Sequence, residues 1–448
     1  MLEYELFILN QEGIKMDFTQ ISDSTFELKI AFLKILKQIS QNNVNYVLNF
    51  DFFSTLFMIC CVLLVGTAIT RRSKFLIKYD IPIPVTGGLI FAILFFILHF
   101  YFDIKIKFEE SIKDPFMLMF FTSVGLGANF SSLKKGGKLL ILFGIAVCSF
   151  LFVQNIVGVC VMSMMGENPL LGLLAGSITL SGGHGTGAAW GDVFMNDPYD
   201  FMAAKEIAMA SATYGLISGG LIGGPMAQYL IKKFNLKPTE KDDGKIDEEE
   251  VFSHPEKQRL ITAESFVKSL GLFAFAMFIG TTISALTKGT AITLPTFVWC
   301  LFSGIIIRNC FSYFNIHKIF DREIGVIGNV SLSLFLAMAI MTLNLVELTK
   351  LAIPLIVLLI IQTFVIILYV RYVTFKICGS DYNSACLVAG HCGFGMGATP
   401  TAIANLQAVT NHFGPSKISF IVVPIMGGFF VDIANAIAIK LFLFLPVF

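Results

Sequence analysis

Residues 173–191 read LLAGSITLSGGHGTGAAWG, and residues 386–405 read CLVAGHCGFGMGATPTAIAN. Both lie inside runs with no charged residue, and both are loaded with Gly, Ser, Thr and Ala around a single His. Glycine this dense breaks a helix in two. Irregular backbone at membrane depth is tolerated only where protein or a water-filled cavity covers it. The stretches 168–191 and 382–416 therefore read as re-entrant hairpins, each entering and leaving on one side. The alternative for each is a glycine-rich helix packed closely against a neighbour.

The rest of the chain supplies the membrane. Of 448 residues, 55% are hydrophobic and 46 are Phe. Eleven of the 63 charged residues fall in 1–51 and fourteen in 233–262, so only about one residue in ten is charged elsewhere. Soluble domains carry about a quarter. With a mean hydropathy of +0.77, a water-soluble protein is excluded. About 20 apolar residues cross the hydrocarbon as a helix. Besides the two hairpins, such stretches recur at 52–70, 81–102, 115–133, 139–166, 207–231, 269–287, 289–307, 324–346, 351–370 and 418–448. Five full spans and one hairpin stand on each side of the polar segment 233–262.

An odd number of spans starts the second half on the opposite face from the first. The expected fold is an all-α polytopic membrane protein of two inverted-topology repeats of five transmembrane helices, each with a re-entrant hairpin. The first repeat would be 52–232 and the second 263–448. Gln154 and Gln362 are 208 residues apart, as are Gly219 and Gly427, Gly220 and Gly428, and Lys232 and Lys440. His184 and His391 differ by 207, which one gap absorbs. Thirteen Lys and Arg in one set of short loops, Arg308 among them, against seven in the other, with Lys113 and Lys205 among them, place the first set, and 233–262, in the cytoplasm. Both termini then face outside, and the hairpin tips meet near the midplane.

Segment 233–262 is read as a solvated cytoplasmic linker. Residues 1–51 form an N-terminal extension in which Phe26, Ile30, Leu33 and Lys37 lie at helical spacing, suiting a helix on the membrane surface. Glu3 and Glu5 stand where a signal peptide needs basic residues, and Met16 is an alternative start. A net charge of +1 gives no reason to expect nucleic acid. The nine cysteines form no C-x-x-C pair and read as small buried hydrophobes.

No G-x-x-x-x-G-K-[ST], H-E-x-x-H or G-x-S-x-G is present, so neither an ATP-driven pump nor a hydrolase is indicated. What remains are broken helices with polar tips. A half-helix N-terminus favours an anion, and freed carbonyls suit a dehydrated sodium ion. Ser181, Thr186, Thr399 and Thr401 add hydroxyls, while Gly182, Gly183, Gly185, Gly390, Gly393 and Gly395 let main chain approach a small ligand. The combination suits a small carboxylate-bearing solute moving with sodium. Asp432, about 14 residues into the last span, is costly there and a functional residue by default. It could ligate sodium or receive a substrate ammonium, and Asn435 and Asn405 could add oxygens. A salt bridge within the bundle is the structural alternative. His184 and His391 are hydrogen-bonders or titrating groups, and Gln154, Asn155 and Gln362 read as packing or pathway residues.

LLAGSITLSGGHGTGAAW, GNVSLSLFLAMA, AGHCGFGMGATPTAIAN and the run 424–440 closely resemble the bacterial sodium/glutamate symporters, with the likeness covering 52–448. The resemblance implies sodium-coupled L-glutamate uptake by alternating access, in a lipid-embedded homodimer of the bacterial cytoplasmic (inner) membrane. A mobile unit would carry the site against a scaffold, with no enzyme activity and no cofactor besides the coupling ion. The family's hairpin motifs fall on residues 181–186 and 390–395. Residues 1–51 and the acidic run 242–250 depart from the pattern. A sodium-coupled carrier of another anion, or a channel filtering at the same helix breaks, would share the physical features above.

Overall fold

The computed structural model describes residues 46–78, 81–102, 104–130, 133–238, 260–290, 293–314, 316, 319–343 and 351–446. The expected surface helix at 26–37 and most of the 233–262 linker lie outside these residues. Contacts divide the chain into two units. In the smaller, strand β1 (Tyr46–Asn49) pairs in parallel with β2 (Ile104–Lys107). The alternating Ile-Lys-Ile-Lys of β2 has the two-residue period of a strand, a detail that an all-α expectation omits.

The helices, in chain order, begin with α1 (Phe52–Thr70), α2 (Ile83–Phe102), α3 (Lys113–Gly127), α4 (Leu133–Met165), α5 (Pro169–Leu173), α6 (Gly183–Met195) and α7 (Ala204–Phe234). They continue with α8 (Ala263–Thr287), α9 (Thr296–Phe314), α10 (Asp321–Met341), α11 (Ala352–Tyr369), α12 (Tyr382–Met396), α13 (Thr399–Phe413), α14 (Lys417–Ile425) and α15 (Val431–Leu443). Among the described residues eight are long and apolar enough to cross a membrane: α1, α2, α4 and α7 to α11. The pair α14 and α15 is bent by 42° at a π-helical turn (Met426–Phe430) and makes a ninth when counted as one broken span. This is a polytopic helical membrane protein.

Local chemistry explains the starts. The Asp51 carboxylate accepts from the Ser54 amide at 2.8 Å and caps α1, and the hydrogen bonds from Ser54 hold its pKa below the usual carboxylate value. Thr262 and Ser265 form a reciprocal capping box at α8, and Asp381 caps α12.

Two expectations change. The stretch 115–133 forms α3, whose 15 residues span only about 22 Å. The expected span 289–307 is displaced to α9, which carries Arg308 inside the helix, 5% exposed and ion-paired with Asp321 at the start of α10. Arg308 is therefore no loop charge. Its burial was invisible to a hydropathy reading because the partner stands 13 residues away.

Tertiary packing sorts the helices of the larger unit into two bundles. In one, α3 runs along α9 and α10, α8 packs on α9, and α1 packs on α10. Gly125 lets α3 approach α9 so closely that a Cβ there would lie 2.2 Å from the Leu301 carbonyl oxygen. In the other, α7 packs along α6, α12 and α13, and α4 along α5, α11 and α15. Small residues at crossings and hydrogen bonds across them are what hold helices together in lipid.

Candidate functional site

Both glycine-rich stretches are interrupted. In the first, α5 continues through a π-helical turn (Leu174–Ile178), breaks, and resumes as α6. Gly183 sits at the break with φ +68, a value that favours glycine. In the second, α12 stops at Met396 and α13 starts at Thr399. Each 15-residue limb there is about 22 Å long, short of the roughly 30 Å hydrocarbon core.

The two breaks lie against each other. A Cβ on Gly183 would stand 3.5 Å from the Gly397 carbonyl oxygen. Ser181 Oγ donates to Gln154 Oε1 at 2.7 Å, and Gln154 Nε2 donates to the Gly395 carbonyl oxygen at 2.8 Å. Asn155 Oδ1 accepts from the Ser177 amide at 3.0 Å, and Asn435 Nδ2 donates to the Ser177 carbonyl oxygen at 2.8 Å. The Asn435 Oδ1 and Ser177 Oγ are buried with no protein partner. Thr399 Oγ1 donates to the Gly427 carbonyl oxygen at 2.6 Å, tying the start of α13 to the bend before α15. Gly182 is held between Thr186 and Asn435. Segments far apart in sequence thus converge on one polar centre inside an apolar bundle.

Asp432 stands beside it. It makes no hydrogen bond or ion pair with any described residue. With Thr186 and Trp190 from α6, and Phe121, Phe297 and Leu301 from the other bundle, it lines a cavity of about 10 Å³. That is room for one water or one small ion. Trp190 Nε1 has no partner either.

Other candidates are placed elsewhere. His184 Nε2 meets Thr213 Oγ1 of α7 at 3.1 Å. His391 is fully buried five residues before its break, its Nδ1 on Thr374 Oγ1 at 2.9 Å and its ring among Phe143, Phe150 and Phe394. His184 follows its own break, so the 207-residue separation of the two histidines is not structural equivalence. Gly185 packs on Phe120 and Leu332, Gly390 on Val423, and Gly393 of α12 on the Ala402 backbone of α13. The Asn405 amide donates to the Gly219 carbonyl oxygen at 2.9 Å, and Thr401 Oγ1 is buried without a partner.

Two features were not legible beforehand. Gln154 reads in sequence, with Asn155 and Gln362, as a packing or pathway residue, and only the packed helices show that it touches both breaks. Asp192, at the far end of α6, receives Lys205 of α7 at 2.9 Å and Lys113 of α3 at 3.0 Å, with all three side chains 10–16% exposed. Both lysines read as loop charges, because nothing in the sequence joins them to Asp192.

The fold and the site define a polytopic membrane protein whose interior is built from interrupted helices. Interrupted helices that meet at a polar centre inside the bundle are a feature of secondary transporters. The chain belongs to the sodium/glutamate symporter family, whose model matches residues 48–415. It is 47% identical over 398 residues to the sodium/glutamate symporter of Escherichia coli (strain K12), covering 89% of this chain and 98% of that one. It is 44% identical over 391 residues to that of Haemophilus influenzae, covering 87% and 96%.

Proposed function

We propose that this protein couples inward sodium movement to uptake of L-glutamate across the bacterial cytoplasmic membrane by alternating access. The observation that carries the reading is the meeting of two helix breaks beside an unpaired carboxylate in an ion-sized cavity. The two interrupted stretches are re-entrant hairpins of inverted repeats 52–232 and 263–448, joined by a cytoplasmic linker (233–262), with both termini outside. Backbone amides at the breaks, near Gly183 and Thr399, take the glutamate carboxylates, while the Gly182 amide donates to the Ser177 carbonyl oxygen at 3.1 Å and shapes the turn. Asp432, with Thr186, holds sodium, and Asn435 contributes from the neighbouring turn. Ser181 and Asn405 donate to protein partners, which leaves their oxygens to face a cation.

The two bundles support a moving unit. The bundle of α4, α7, α11 and both hairpins carries the site, and the bundle of α3, α8, α9 and α10 is the scaffold, through which two copies form a homodimer. The aromatic contact of Trp190 with Phe297, at 5.8 Å, and the Lys113–Asp192 pair cross between them. Lys205 stays with Asp192 during such a stroke, whereas Lys113 must let go. Lys113→Gln is therefore expected to change maximal uptake several-fold while leaving the glutamate KM within about twofold. A partly buried pair worth about 1–2 kcal/mol shifts a two-state population about 5- to 30-fold. An unchanged maximal rate would show that this pair stays closed throughout the cycle.

The deciding experiment is radiolabelled glutamate uptake by purified, reconstituted protein. Sodium-gradient-driven accumulation is expected, suppressed by excess unlabelled glutamate and not by citrate or dicarboxylates lacking an ammonium group. Accumulation without sodium, or sodium-driven uptake of citrate alone, would overturn the reading. Current without glutamate would indicate a channel.

A further inference from the structure

Gln154 lies mid-span in α4 and is fully buried. Its neutral amide offers a donor and an acceptor in one rigid plane, and each is used on a different hairpin. The acceptor takes the Ser181 hydroxyl at 2.7 Å, and the donor takes the Gly395 carbonyl oxygen at 2.8 Å. The last carbonyls of a helix have no partner within it, and Gly395 is the penultimate residue of α12. Without Gln154, this carbonyl would keep only the longer 3.4 Å approach of Ser181 Oγ. The strut is itself held. Gln362 Nε2 of α11 donates to the Gln154 backbone oxygen at 2.8 Å. Its neighbour Asn155 fixes the turn at Ser177, so two consecutive residues of α4 reach the first hairpin and one of them continues to the second.

We infer that Gln154 is a positioning residue that sets the distance and orientation between the two hairpin tips, so that glutamate held by one tip is presented correctly to the other. The inference rests on the proposed function. Gln154 need not touch the substrate. Its effect is transmitted through Ser181 and the Gly395 carbonyl, and appears as apparent affinity rather than as folding. Among the described residues, Gln154 and the longer 3.4 Å contact of Ser181 Oγ with the Gly395 carbonyl oxygen are the side-chain links between the two tips.

The test uses reconstituted full-length protein at saturating sodium. Gln154→Met keeps length and burial but removes both hydrogen bonds. Gln154→Asn keeps the amide on a stem one carbon shorter, unable to span both tips. Each is expected to raise the glutamate KM, about tenfold or more for Met and less for Asn, with a melting temperature in detergent close to that of the parent. In a double-mutant cycle, Ser181→Ala is expected to add little in the Gln154→Met background. A KM within twofold of the parent in either folded variant, or strictly multiplicative effects with Ser181→Ala, would overturn the inference. If Gln154→Met does not fold, Gln154→Asn decides alone. Absence of sodium-driven glutamate uptake in the unmodified protein would instead reject the function, before any variant is compared.

Discussion

Asp432→Asn is expected to abolish sodium-driven glutamate uptake, with apparent sodium affinity falling about 100-fold or more. The carboxylate has no partner among the described residues, and it faces a cavity of about 10 Å³ shared with Thr186. A carboxylate at membrane depth is costly on its own, and a cation in contact with it offsets that cost. At an effective dielectric of about 20 and a contact of about 2.4 Å, the attraction is about 7 kcal/mol. Desolvation of both ions cancels much of this. A net loss of about 3 kcal/mol on neutralising the carboxylate corresponds to the 100-fold change. Asn has nearly the same shape, so folding should survive. A second readout is independent of glutamate. A ligand that binds only the folded state raises its melting temperature, so sodium chloride should stabilise the parent relative to potassium chloride and should not stabilise the variant. Unchanged sodium-driven flux in Asp432→Asn would remove this residue from the mechanism.

The second large effect belongs to a glycine. A Cβ on Gly393 would lie 2.3 Å from the Ala402 Cα and 2.5 Å from its amide nitrogen. Both obstacles are backbone, so no rotamer change relieves them, and α12 and α13 must separate by on the order of 1 Å to restore normal contact. Overpacking of this kind costs about 1–3 kcal/mol. It also moves the Gly395 carbonyl and the start of α13 relative to the first break. Gly393→Ala is expected to lose most of its uptake and to melt at a lower temperature. Gly224→Ala, in the middle of α7 with nothing within 4 Å of the new Cβ, is the matched control. It should melt at or slightly above the parent temperature, because alanine suits a helix better than glycine. Uptake by Gly393→Ala at the parental rate would mean that the two limbs are not closed on each other in the working protein.

Much of this was legible in the chain itself. Apolar length located the spans, because a helix in lipid needs only local composition to be recognised. Glycine density located both interruptions, because the cost of glycine in a helix is also local. Asp432 stood out as a charge without a nearby counter-charge. The errors share a cause. Arg308 and Lys205 read as loop cations because their partners, Asp321 and Asp192, are defined only by packing. His184 and His391 looked equivalent because their separation nearly matches the 208-residue offset of other residue pairs. The breaks that define equivalence fall after one histidine and before the other. Gln154 read as a packing or pathway residue, and which groups it bonds stayed hidden because Ser181 and Gly395 stand 27 and 241 residues away.

From sequence alone follow the membrane class, the number of spans to within two, the two places where helix cannot continue, and the family likeness. These are properties of short windows, set by transfer of side chains from water and by backbone propensity. Which polar groups meet is another matter. The contact of Gly183 with Gly397, the bridge through Gln154, the chamber at Asp432 and the sharing of Asp192 between two lysines arise only when whole helices pack. A hydrogen bond or an ion contact depends on ångström distances that no local pattern encodes.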